Sequence, residues 1–214
     1  MLPPNASTIR PTRRRNHRGL SLIELLITLA IVSILAAMLI PQMGQEVPDQ
    51  LLAAAEIVTA DLEYARSLAV VNNSTYRLTF EPSQNRYVLR HSDPNTPLLH
   101  VLPASPFRQV SDLPDQQTTK LADLPFSQPV VNLHCVVAIG GTLAAVSDVE
   151  FTPLGGTTRA QQTVIWLTCG SGTQRRFISI EVNPATGLVE IGSQTKALPA
   201  NVAALAAQAE VETP

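Results

Sequence analysis

Six kinds of residue in this chain could carry chemistry, and the first is an acid. Glu24 is the only charge between residues 20 and 40, a run whose other polar members are Ser21, Thr28 and Ser33. A carboxylate held in a low-dielectric medium calls for a cationic partner, because an isolated buried charge is heavily penalised. His134-Cys135 has the residue types of a base and a nucleophile. Neighbours on a strand face opposite ways, however, so the two are not expected to hydrogen-bond as a pair. His91 and His100 lack metal-ligand spacing. Asp93 and Asn95 offer loop oxygens, well short of the six to eight that calcium takes. Gly140-Gly141 and Gly155-Gly156 stand outside any GxGxxG or GxxxxGK[ST] context and read as turns. Cys135 and Cys169 could form one disulfide in an oxidising compartment; the alternative is two small buried hydrophobes on neighbouring strands. No catalytic residues, cofactor or metal site are expected, and the chain is not read as an enzyme.

The elements that position these residues follow from pattern. Residues 20–40 are long enough as a helix to span roughly 30 Å, the thickness of a bilayer core. Five of the chain's 15 basic groups, Arg10, Arg13, Arg14, Arg15 and Arg18, precede that run, and none of its 17 acids do. The remaining 195 residues therefore carry a net charge of −7. Such a body is a poor attractor for nucleic acid. The basic lead-in fits the cytoplasmic flank of a membrane anchor, with the residues beyond it extracytoplasmic. Residues 1–13, rich in Pro, Ser, Thr and Arg, are expected to be disordered. Pro41 ends or kinks the apolar helix.

A second helix is predicted to end near Asn72-Asn73. Leu51, Ala55, Val58, Leu62, Ala65 and Ala69 recur at alternating steps of four and three, which makes one apolar face. The period then changes to two. STYRLTFE and RYVLRH flank EPSQN as a hairpin, and further strands are predicted at VVNLHCVVAI, DVEFTP, TVIWLTC and RFISIEV, the last turning through NPATG into LVEI. Six prolines make residues 92–128 mostly irregular, with one short strand near Leu98 and Leu102. The Ala-rich end from Ala197 reads as a frayed tail or weak helix. The fold class is α+β, a long N-terminal helix packed on an antiparallel β-sheet. The expected organisation is a leader at 1–19, an anchor at 20–41, an amphipathic helix at 42–73, a β-domain at 74–196 and a tail at 197–214.

The run RGLSLIELLI resembles the cleavage and methylation signature of type IV prepilins and type II secretion pseudopilins. The resemblance implies cutting by a prepilin peptidase after Gly19, N-methylation of Leu20, and pairing of Glu24 with the N-terminal amine of a neighbouring subunit. Pro41 falls where many members carry a helix-kinking proline. Leu20 departs from the commoner Phe, and the leader is longer than many. AAAEIVTADLEYARSLAVVNNSTYRLTFE, VEFTPLGG (Phe151, Pro153, Gly155) and RFISIEVNPATGLVEI further resemble the GspH/FimT family of minor pseudopilins and minor pilins. That likeness implies a minor subunit of a type II secretion pseudopilus, single-pass in the inner membrane with its C-terminal domain periplasmic. Its partners would be other pilin-like subunits and prepilin peptidase. The alternative is a FimT-like minor type IV pilin serving pilus assembly or DNA uptake. Some such members bind DNA through a Gly-Arg-x-Arg hairpin; here Gly187-Leu188-Val189-Glu190 has no Arg. Arg159, Arg175 and Arg176 are too few to replace it, so DNA is not an expected partner.

Overall fold

The computed structural model describes residues 21–39, 46–103, 112–124 and 130–211. The chain divides into two compact units, Met1–Gly44 and Gln45–Pro214. In the first, α1 (Leu22–Leu39) is apolar all round apart from Thr28, Ser33 and, in its first turn, Glu24. Its side chains from Leu22 to Leu35 are exposed. Among the described residues no helix is long and apolar enough to cross a membrane. The leader, Gly19, Leu20 and Pro41 lie outside the described residues.

The second unit begins with α2 (Glu46–Val71). All six residues of the predicted stripe, Leu51, Ala55, Val58, Leu62, Ala65 and Ala69, are fully buried, and Ala54 and Leu68 join them. The stripe's alanines present no bulk that would hold a sheet away. Each buried Leu or Val contributes roughly 1.5–3 kcal/mol of apolar burial.

Behind α2 lie two antiparallel sheets rather than one. The first runs β3-β2-β1-β6 and the second β5-β4-β7-β8-β9. The strands are β1 (Tyr76–Glu81), β2 (Arg86–His91), β3 (Gln116–Lys120), β4 (Val131–Gly140), β5 (Thr142–Ala145), β6 (Asp148–Phe151), β7 (Gln162–Cys169), β8 (Arg176–Val182) and β9 (Val189–Ile191). The predicted hairpins at EPSQN and NPATG are present, pairing β1 with β2 and β8 with β9. Between β5 and β6 the chain crosses from the second sheet to the first through Val146 and Ser147. Their backbones stay bonded to both sheets, Val146 N donating to Val136 O and Ser147 O accepting from Phe80 N. α2 contacts β1 and β6 of the first sheet and β4, β7, β8 and β9 of the second.

β7 is buried on both faces, which explains its nearly unbroken apolar run. Ile165, Leu167 and Cys169 face the core under α2, while Val164 and Trp166 face a second cluster with Val137 and Phe177. α3 (Ala200–Val211) covers that second cluster, burying Val202 and Ala206 one turn apart. The Ala-rich end is thus a docked helix. The strand expected near Leu98 is instead a 3₁₀ turn, Pro97–His100, where the proline supplies no backbone donor for a ladder. The irregular stretch holds β3 as well, an edge strand of polar residues (QQTTK) on β2.

Candidate functional site

In α1 the polar side chains other than Glu24 turn back onto their own helix. Thr28 Oγ1 donates to Leu25 O at 2.9 Å and Ser33 Oγ to Ala30 O at 2.8 Å. Local bonding of this kind satisfies a hydroxyl without any partner chain. Glu24 is placed differently. It stands exposed in the first turn and makes no hydrogen bond or ion pair with any described residue. At that end the helix exposes unbonded backbone N–H groups that favour an anion. A carboxylate so placed is available to a cation brought by another molecule.

In the second unit the quoted sequence motifs converge on one joint. Arg66, from the α2 motif, donates its Nε to the Gly155 carbonyl at 3.0 Å. Gly187, from the closing hairpin, sits at φ +65°, and a Cβ there would fall on that same carbonyl oxygen and crowd the Arg66 side chain. Gly155 itself is at φ +85° against Arg66 and Val70. The loop after β6 and the β8–β9 turn therefore fit together only because both supply glycine at the contact. Thr157 N donates to Pro184 O at 2.8 Å and closes the same junction.

A second junction is polar and buried. Tyr87 Oη donates to Asp61 Oδ2 at 2.7 Å and Thr119 Oγ1 donates to the same oxygen at 3.1 Å, which ties α2 to β2 and β3. Burial pushes the Asp61 carboxyl up, opposed by these two bonds, and burial beside Asp61 pushes the Tyr87 phenol well above its ordinary value. A third junction is Asn85, left-handed at φ 49° in the first hairpin turn. Its amide Nδ2 donates to Val131 O at 2.9 Å, and its Oδ1 accepts from Leu133 N at 2.8 Å, so one side chain pairs with the edge of the other sheet.

The remaining sequence candidates fall as follows. No disulfide joins Cys135 and Cys169. Cys169 pairs with Val131 and Cys135 with Trp166, three ladder steps apart, or roughly 10 Å along the strands, beyond the ~7 Å Cα limit for a bridge. They also face opposite sides of the second sheet: Cys169 lies in the core under α2 and Cys135 against the cluster under α3. Burial pushes the Cys135 thiol up to about 11. His134 corrects the reasoning applied to its pair with Cys135. A β-bulge between Leu133 and Cys135 makes it the additional residue of β4, and its ring meets Phe177 edge-on at 5.5 Å on the same side that Cys135 occupies. The pair shares a face, but the thiol stays protonated there.

Arg159 is spent on structure, its Nη2 2.9 Å from Asp148 Oδ1. Arg175 lies over the Phe177 ring, and Arg176 donates to the Thr173 and Arg175 carbonyls. Asp93 Oδ1 accepts from the Asn95 N–H at 2.8 Å, which makes the two a local turn. His91 and His100, nine positions apart in sequence, are brought together with their Nδ1 atoms 3.0 Å apart. No sequence spacing signalled that contact, because a 3₁₀ turn folds it back. Among the described residues no group of three or more His, Cys, Asp or Glu is placed to hold a metal ion.

Comparison with known proteins adds one firm finding. Residues 14–40 match the family model described as the prokaryotic N-terminal methylation motif. No curated protein matches the chain. Among solved structures, the type IV minor pilin FimU of Pseudomonas aeruginosa is similar at 16% identity with a TM-score of 0.44, covering 68% of this chain and 90% of that one. The minor pseudopilin EpsH from the type II secretion system of Vibrio cholerae is similar at 8% identity with a TM-score of 0.44, covering 70% and 98%. A second EpsH structure gives 10% identity and a TM-score of 0.40, covering 66% and 95%. What the chain does possess, over residues 14–40, is the prokaryotic N-terminal methylation motif, with Glu24 as the one acid inside it.

Proposed function

We propose that this chain is a membrane-anchored minor subunit of a pilin-like filament. The observation that carries the reading is the methylation motif at residues 14–40, which includes an apolar helix whose lone carboxylate has no partner among the described residues. In this reading a prepilin peptidase removes residues 1–19, and the new amino terminus at Leu20 is methylated. The helix from residue 20 to 41 anchors the subunit in the inner membrane and then enters the filament, where the Leu20 ammonium of one subunit meets Glu24 of the next. In a helix bundle of low dielectric that attraction is far stronger than in water, so it fixes the stagger of subunits. The second unit faces the extracytoplasmic side and offers surface to neighbouring subunits. Its role is assembly, and no catalytic step is assigned to it.

Within this class we favour a GspH-like minor pseudopilin of a type II secretion system over a DNA-binding minor pilin. The closing hairpin supports that choice. It has no arginine at 187–190 and sets Glu181 directly opposite Glu190 across β8 and β9, a face that repels phosphate. N-terminal sequencing of membrane-extracted protein tests the class. A methylated Leu20 start is expected, and replacement of Gly19 should leave the leader attached. A mature protein that still begins at Met1, or is cut after residue 40, would overturn the reading. Tight, salt-sensitive binding to duplex DNA would replace the pseudopilin with the DNA-binding alternative.

A further inference from the structure

The end of α2 is closed by a cluster of polar side chains. Ser74 N donates to Ala69 O at 3.1 Å and terminates the helix, and its buried hydroxyl lies 2.7 Å from His91 Nε2. The same hydroxyl donates to Asp93 Oδ2 at 3.2 Å and lies 3.0 Å from Thr96 Oγ1. With the Ser74 proton directed at Asp93, the Ser74 oxygen accepts from His91 Nε2–H. His91 Nδ1 is then left with a lone pair aimed at His100 Nδ1, 3.0 Å away. The two rings meet edge-on, and Tyr76 packs edge-on against the other side of His91.

We propose that His91 and His100 form an acid-released latch holding residues 92–100 against the C-terminal end of α2. An N···N contact of this length needs one proton between the two nitrogens. Two neutral rings supply it, and so does one neutral ring with one imidazolium. Two imidazoliums cannot, because N–H then faces N–H and like charges sit ring to ring. Charging both rings therefore opens the contact.

The groups facing His91 decide the direction. From β1 come only the neutral Tyr76 phenol, which accepts from Asn72 Nδ2, and the hydroxyl of Ser74 preceding the strand. From the loop comes Asp93, which favours a charge on His91 through Ser74 and Thr96 but lies on the Nε2 side, away from His100. From the 3₁₀ turn comes His100 itself. Burial and His100 together hold the His91 imidazole below its ordinary value of 6.5. A base whose folded value is lowered binds fewer protons folded than unfolded, so the latch's stabilising contribution is complete above about pH 6.5 and is lost as pH falls below it. This inference does not depend on the filament reading.

Hydrogen exchange of the full-length chain, corrected for intrinsic rates, tests it. Between pH 7.5 and pH 5.0 the amides of residues 92–100 should lose protection severalfold, while those of β7 hold theirs. His100→Gln keeps an N–H donor and carries no charge, so its loss of protection on acidification should be smaller than the parent's. Unchanged protection in the parent chain, or an equal loss in His100→Gln, overturns the latch. Ring titration by NMR is an independent check: His91 should titrate at higher pH in His100→Gln than in the parent, and an unmoved titration also overturns it.

Discussion

Arg66 Nε donates to the carbonyl of Gly155 at 3.0 Å across 89 positions of sequence, and Gly187 lies so close to that carbonyl that no side chain fits between. One α2 side chain thereby fastens a loop leaving the first sheet to a turn of the second. Gly187→Ala must both strain a left-handed backbone and displace the Gly155 carbonyl, and should destabilise by about 3 kcal/mol. Arg66→Ala should cost less, about 1–2 kcal/mol, because it removes one hydrogen bond and some packing. Urea denaturation of both variants measures this, and a Gly187→Ala protein as stable as the parent would show that the junction is not tight.

Asn85 offers a cleaner test of how the two sheets are joined. Asn85→Gly keeps the left-handed turn at no steric cost and deletes only the side-chain amide. Loss of its two bonds to β4 should lower stability by about 1–3 kcal/mol, read as a shift of the urea midpoint at constant slope.

Asp61 predicts a pH dependence. Its folded pKa is raised, chiefly by burial, so the folded state binds this proton more readily than the unfolded chain. Stability should therefore rise as pH falls through the folded value toward 3.8, and the ionised form weakens the fold at neutral pH. Asp61→Asn keeps an acceptor for Tyr87 and Thr119 and should lose this pH dependence when urea midpoints are compared at pH 7 and pH 4.5. Asp61→Ala leaves the Tyr87 hydroxyl buried without an acceptor and should cost about 1–3 kcal/mol more than Asp61→Asn at pH 7.

The cysteines should behave as separate thiols. Cys135, pushed up to about 11 by burial, is almost wholly protonated at pH 7.5 and should alkylate roughly two orders of magnitude more slowly than an exposed thiol. Iodoacetamide labelling followed by mass spectrometry should give slow modification in the native chain and two rapid modifications in urea. A pair of cysteines that labels only after reduction would contradict the opposite-face placement.

Glu24→Ala tests the filament reading directly. Insertion into membranes should be unimpaired or eased, because a costly carboxylate is gone. Co-assembly with partner pilins should fall by at least about a hundredfold, since the neighbouring chain end would be left as a buried, unpaired charge. Pull-down from detergent-solubilised filaments gives the measurement, and normal incorporation would end the electrostatic account of stagger.

How far these features were legible in the sequence depended on whether local patterning dictated them. The α2 stripe was readable because each of its six apolar positions meets the sheets with no compensating tertiary contact needed. EPSQN and NPATG were readable because Pro, Asn and Gly fix backbone angles by themselves. β3 was not: QQTTK shows no apolar alternation, and it is a strand because β2 supplies its ladder. β5 follows the Gly140-Gly141 turn with TLAA, too short and too small to announce itself. The division into two sheets was hidden because Val146 and Ser147 switch sheets without a proline or glycine. The bulge at His134 defeated a sound rule of alternation, since one additional residue reverses which face the following side chains occupy. At the candidate site the motif containing Glu24 could be read directly, whereas the contact of His91 with His100 required the 3₁₀ turn that carries it.

Because α2 lies across both sheets, its attachment has a mechanical meaning. A pull transmitted along the helix axis cannot peel one strand at a time; it must slide the whole row from Leu51 to Ala69 past six strands at once. Shear of many parallel contacts resists load far better than unzipping them in series, so the second unit should stay intact under tension that would strip a single-sheet attachment.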